Sequence, residues 1–88
     1  TFAMGKFGLR GLAQSMAREL HPQNVHVVHV VVDGGIRNTS RGRVEGPDDE
    51  PDKWLDPDAI AETYYHLHTQ HRSSWSWEIE VRPWVEKF

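Results

Sequence analysis

Apolar residues recur along the first twenty positions in steps of three and four. Leu9, Leu12, Ala13, Met16, Ala17 and Leu20 fall on one stripe, and Arg10, Gln14, Arg18 and Glu19 lie largely off it. This period predicts an amphipathic helix over 3–21. Pro22 closes it, because its ring and missing N–H oppose continuation. Gly5, Gly8 and Gly11 sit inside the pattern, each costing about 1 kcal/mol relative to alanine. Their spacing lays a smooth strip along the N-terminal half, suited to close approach by a helix, a backbone or a flat ligand. Fraying of that half is the alternative.

The period then changes. Residues 25–32 read VHVVHVVV, six valines in eight positions. A near-continuous β-branched run has no wet face, and it predicts a parallel strand covered by helices on both sides. Such a strand also needs neighbours along both edges. His26 and His29 fall on opposite faces of the pleat, which argues against a simple ligand pair. Asp33-Gly34-Gly35 ends the run. The two glycines permit a turn with positive φ or a close backbone approach to a ligand. Open parallel sheets bind ligands outside the carboxyl ends of their strands; a plain strand-ending turn fits equally well.

Residues 37–55 form a long polar connection in which Gly42, Gly46, Pro47 and Pro51 oppose a continuous helix. A short helical turn over 39–44 is compatible with them. Connections of this length serve as lids or mobile segments, so 37–55 is expected to be a flexible substrate-side loop. Its Arg37, Arg41 and Arg43 precede Glu45, Asp48, Asp49, Glu50 and Asp52, and a solvated loop is favoured over a phosphate contact. Asp56 then offers a cap, Pro57 a first helical residue and Asp58 a first-turn carboxylate. Ile60, Ala61, Tyr64, Leu67 and His68 extend that start into a helix over 56–71. Trp75, Trp77, Ile79 and Val81 alternate with polar residues, predicting a strand over 75–82 with the two tryptophans and Ile79 on one face. Arg82-Pro83 ends it, leaving Trp84 and Phe88 available to pack. The order is helix, strand, loop, helix, strand, and the second helix can serve as the crossover between two parallel strands.

Composition narrows the possibilities. Eighty-eight residues make one small domain, in which burial reaches about 60% of the unfolded surface. The chain has 38% hydrophobic and 26% charged residues and no cysteine, which excludes disulfides, cysteine-ligated metal sites and a thiol nucleophile. No apolar run approaches the roughly 20 residues of a membrane span, and the first residues are not a secretory signal; a cytoplasmic, non-membrane protein is expected. The net charge of −3 gives no general attraction to nucleic acid, and acidic residues surround the tryptophans. His66 and His68 would lie about 200° apart around a helix axis, and His68 shares a face with His71 alone. No metal site is expected.

The segment FAMGKFGLRGLAQSMARELHPQNVHVVHVVVDGGIRNT resembles the catalytic helix, following strand and cofactor loop of the short-chain dehydrogenase/reductase family. DPDAIAETYYHLHTQHRSSWSWEIEVRPWVEKF is similar to the last helix and strand of one bacterial subgroup. Together the two segments cover nearly all of the chain. The resemblance implies an α/β fold, the C-terminal fragment of a Rossmann-like doubly wound parallel sheet, with 1–88 a single partial domain. It further implies a parent that uses NAD or NADP to move a hydride to or from a small carbonyl or alcohol substrate.

The family's Tyr-x-x-x-Lys falls on Phe2-Ala3-Met4-Gly5-Lys6. Lys6 takes the place of the lysine that binds the nicotinamide ribose, and Phe2 stands where the acid/base tyrosine would be, with no proton to give. Another donor, weak or different chemistry, and coenzyme binding without catalysis all remain open. Gly34, Gly35, Ile36 and Thr39 are the implied cofactor-loop residues, with Ile36 against the nicotinamide. In the alignment that sets Ile36 beside the nicotinamide, Asp33 replaces the usual proline; an alignment through the valines shifts this register by one. A carboxylate there would oppose a pyrophosphate unless it is paired or turned away. The family's glycine-rich fingerprint and its catalytic serine and asparagine have no counterpart here, so the 88-residue chain alone is expected to be inactive and to bind no coenzyme tightly. The family's subunit contacts imply a homo-oligomer through helix 3–21, helix 56–71 and strand 75–82. The alternative is an oligomerisation or structural module, or a degenerate relative without catalysis.

Overall fold

Two helices flank a two-stranded parallel sheet in the computed structural model, which describes residues 1–87. Phe88, expected like Trp84 to be available for packing, lies outside the described residues. In chain order the elements are α1 (Phe2–Leu20), β1 (His29–Val32), α2 (Pro57–His68) and β2 (Glu78–Val81), with short 3-10 turns at His21–Gln23, Thr39–Arg41 and Arg72–Ser74.

β1 and β2 run parallel with His29 opposite Glu78, Val30 opposite Ile79 and Val32 opposite Val81. Side chains alternate across the pleat, and the helices take opposite faces. On one face His29 and Arg10 of α1 both bind Glu78, at 3.0 and 2.6 Å. On the other, Val28 and Val30 share a hollow with Tyr64 and Leu67 of α2. β1 thus has a helix on each face, although its four residues stay half-buried and Val25 is exposed. Its ladder is shorter than the expected 25–32, because Val25 to Val28 have no strand beside them. Instead the Val27 N–H donates to the His21 ring at 3.1 Å, and His26 stacks on Trp75 with centroids 4.5 Å apart. β2 covers one edge of β1; among the described residues no strand lies on the other.

α2 starts as its sequence dictates. The Asp56 carboxylate accepts from the Asp58 N–H at 3.0 Å and pairs with Arg37 at 3.0 Å, satisfying one of the donors left over at a helix start. The helix ends at His68, three residues before the expected His71. His71 instead caps the next turn, its Nδ1 accepting from the Ser73 N–H. Gln70 then fixes the approach to β2, accepting from the Ser76 N–H and, through its carbonyl, from the Trp75 indole. Consequently β2 begins at Glu78 rather than at residue 75. Trp77 precedes the ladder and turns toward α1, where the Arg10 guanidinium lies 5.5 Å from its ring. It does not share a face with Ile79, whose partner Val30 looks toward α2.

The core is thin. Ala17, Leu55 and Leu67 are buried, whereas Phe7, Leu9 and Leu12 on α1 remain more than half exposed. The radius of gyration is 15.5 Å, against about 12 Å for a compact domain of this length. The apolar stripe of α1 therefore lacks the cover that an amphipathic helix normally finds. The architecture is a small α/β fold, two helices on a two-stranded parallel sheet, as occurs within a Rossmann-like doubly wound sheet.

Candidate functional site

A hollow of about 820 Å³ runs along β1 from His29 to Val32 and on past the turn at its carboxyl end. α1 contributes Phe2, Lys6 and Leu9 to its wall, β1 contributes its valines, and the following turn contributes Gly34, Gly35 and Ile36. Arg41 and Arg43 from the long connection complete it. Five of the expected residues, Phe2, Lys6, Gly34, Gly35 and Ile36, thus border one space. Thr39 does not: it opens a 3-10 turn and its carbonyl accepts from the Gly42 N–H at 3.1 Å.

The four-residue spacing places Lys6 and Phe2 on one helix face. The Lys6 ammonium lies 5.5 Å from the centroid of the Phe2 ring, within the range of a cation–π contact, which contributes about 0.5–1 kcal/mol at exposed sites. Both side chains are exposed on α1.

The two glycines are required by the chain's own packing. Gly34 has φ +148°, which side-chain-bearing residues rarely adopt, and a Cβ there would sit 2.7 Å from Pro83 Cδ. At Gly35 a Cβ would sit 2.5 Å from Trp54 Cζ3. Beside it, the Leu55 N–H donates to the Gly35 carbonyl and the Arg37 N–H to the Leu55 carbonyl, both at 2.8 Å. Close approach by Pro83 and Trp54 therefore accounts for the glycines, whose other side still borders the hollow. Asp33 is paired, its carboxylate 3.1 Å from Arg82, which also lies 3.8 Å from Glu80. The pairing meets the condition under which this carboxylate tolerates a nearby anion.

Sequence reasoning placed Arg41 and Arg43 in solvent and left Leu9 in a general apolar stripe. The arginines flank Gly42, which turns the chain with φ +69°. An Arg-Gly-Arg triplet is the available signal, and it becomes informative only once the turn is known. Among the described residues no three His, Cys, Asp or Glu side chains converge on a possible metal position, and no helix is long and apolar enough to cross a membrane.

No protein-family model matches the chain, and no curated protein matches it. Among solved structures, a short-chain dehydrogenase from Rhodopseudomonas palustris is 41% identical, with a TM-score of 0.65 over 94% of this chain. The chain is similar to part of a short-chain dehydrogenase. It spans 29% of that protein's length, so the likeness extends to almost all of these residues but to under a third of the dehydrogenase. At this identity the resemblance read from the two sequence segments has an independent counterpart, one that matches in both sequence and fold.

Proposed function

We propose that this chain forms the C-terminal part of an NAD(P)-dependent short-chain oxidoreductase acting on a small carbonyl or alcohol substrate. The observation that carries the reading is the convergence of Phe2, Lys6 and Gly34 to Ile36, from separate elements, on one hollow that runs along a parallel strand and past its carboxyl end. The similarity to a short-chain dehydrogenase supports it, as do the thin core and the uncovered edge of β1.

In that role the coenzyme supplies or accepts the hydride. Lys6 offers an ammonium to the ribose hydroxyls, Ile36 an apolar surface to the nicotinamide, and Gly34 and Gly35 a backbone without side chains. Phe2 shapes the substrate side of the hollow without moving a proton. These groups make one wall of a groove, so the 88 residues alone hold coenzyme weakly and turn over no substrate. Titrating the longest natural chain that carries this segment with NADH and NADPH, followed by coenzyme fluorescence, tests the reading. Binding of either, weakened by Lys6→Met, is the expected result; binding of neither overturns it.

The exposed Leu12 and Met16, one turn apart on α1, and Tyr64 and Tyr65 of α2 favour a second property, self-association through these helices and β2. Uncovered apolar patches of this kind mark interaction surfaces. Solution mass across a dilution series measures it, and a monomer at every concentration counts against it.

A further inference from the structure

Lys6, Arg41 and Arg43 all border the hollow, and its acidic side chains are engaged elsewhere. Asp33 and Glu80 both face Arg82, at 3.1 and 3.8 Å. Two of the five carboxylates of the long connection are also committed, and neither these nor Asp48, Glu50 and Asp52 line the hollow. Glu45 accepts from the Asp52 N–H at 2.6 Å, and Asp49 accepts from the Gly46 N–H at 2.7 Å and pairs with Lys53 at 3.2 Å. Arg37 is paired with Asp56. Arg41 and Arg43 form no ion pair among the described residues.

Their position is fixed by backbone. Asn38 and Arg43 exchange two hydrogen bonds of 3.0 and 2.9 Å, the Arg41 N–H donates to the Asn38 carbonyl at 3.1 Å, and the Asn38 side chain accepts from the Ser40 N–H. One bonded turn thus brings two arginines without an ion-pair partner to the wall of the hollow that Phe2 and Ile36 also line. Two such cations on one wall favour an anion there. The planar guanidinium fork matches a carboxylate or phosphate through paired hydrogen bonds.

We infer that the substrate carries a carboxylate or phosphate, which Arg41 and Arg43 hold while its apolar body lies against Phe2 and Leu9. This rests on the hollow being the ligand side of an oxidoreductase, as proposed above.

Amide NMR of this chain, titrated with succinate, inorganic phosphate and dimethyl succinate, tests the inference. Saturable shifts at Arg41, Arg43 and Ile36 are expected with at least one of the two anions and not with the neutral diester. Arg41→Gln/Arg43→Gln lowers that affinity about ten-fold or more, with the remaining spectrum unchanged as the check on folding. No shift with either anion, or equal binding by the variant, overturns the proposal. On the longest natural chain, NADH added to the anion complex until the coenzyme is seen to be bound separates two sources of the charge: an anion that stays bound beside the coenzyme is on the substrate. Displacement assigns the arginines to the coenzyme's phosphates and overturns the substrate class. Anion binding by a chain whose longest natural form binds neither coenzyme would leave the anion site standing and remove the oxidoreductase reading.

Discussion

Lys6 and Phe2 face each other across one turn of α1, the ammonium 5.5 Å from the ring centroid. A phenol at position 2 would share this geometry and add a proton that the neighbouring charge makes easier to lose. Under the proposed function, Phe2→Tyr in the full-length chain raises carbonyl reduction by about 10²–10⁴-fold, the usual range for a positioned acid/base. The rate is read from oxidation of reduced coenzyme. Phe2→Tyr combined with Lys6→Met should lose most of the gain, and an unchanged rate in Phe2→Tyr itself contradicts the assignment.

Packing rather than backbone angle decides the outcome at Gly35. Gly35→Ala drives a methyl into the Trp54 ring and should cost about 1–3 kcal/mol, as overpacking does. In a Trp54→Leu background the same change should cost clearly less, because the two sites are in contact. Gly34→Ala is different: its φ of +148° keeps it unfavourable even after Pro83 is replaced by alanine. Urea unfolding of the four single variants and two doubles measures both cycles.

How far the sequence could be read follows from where each signal is local. The α1 period, the Asp56-Pro57 start and the valine run each announce their element through neighbours in the chain, and each forms near its expected place. Ends were less legible. Residues 25–28 share the composition of 29–32, but a ladder needs a partner, and β2 reaches His29 to Val32. α2 stops at His68 because the His71 ring serves the following turn and Gln70 binds Trp75 and Ser76, contacts that periodicity does not encode. At the hollow, the four-residue spacing says only that Lys6 and Phe2 share a helix face, and their proposed roles come from the family resemblance. Arg41 and Arg43 were not legible, since an exposed loop arginine and one turned to a hollow look alike until the Asn38 turn is drawn.

Glu78 gives the fold a pH dependence. The hydrogen bonds from Arg10 first, and from His29 after it, hold its carboxyl below the usual carboxylate range. A depressed folded-state value means stability that is present above the ordinary carboxylate pKa and is lost as pH falls through the lowered one. Glu78→Gln should therefore melt below the natural chain at neutral pH, with the gap closing under acid conditions. Arg10→Gln should move the Glu78 titration, followed by NMR, back toward the ordinary range. A gap that stays constant across the acid range would show that the Arg10–Glu78 pair does not couple to folding.

The proposed coenzyme groove has one further and more local readout. The Ile36 N–H stands beside the hydrogen bonds that join Gly35 and Arg37 to Leu55, in the stretch that borders the hollow. Hydrogen–deuterium exchange of the longest natural chain, with and without saturating NADH or NADPH, resolves this stretch and the first turns of α1. Slower exchange at Gly34 to Ile36 and around Lys6 on coenzyme binding is the predicted result. Coenzyme bound with exchange unchanged at both places would put the groove elsewhere and contradict the account.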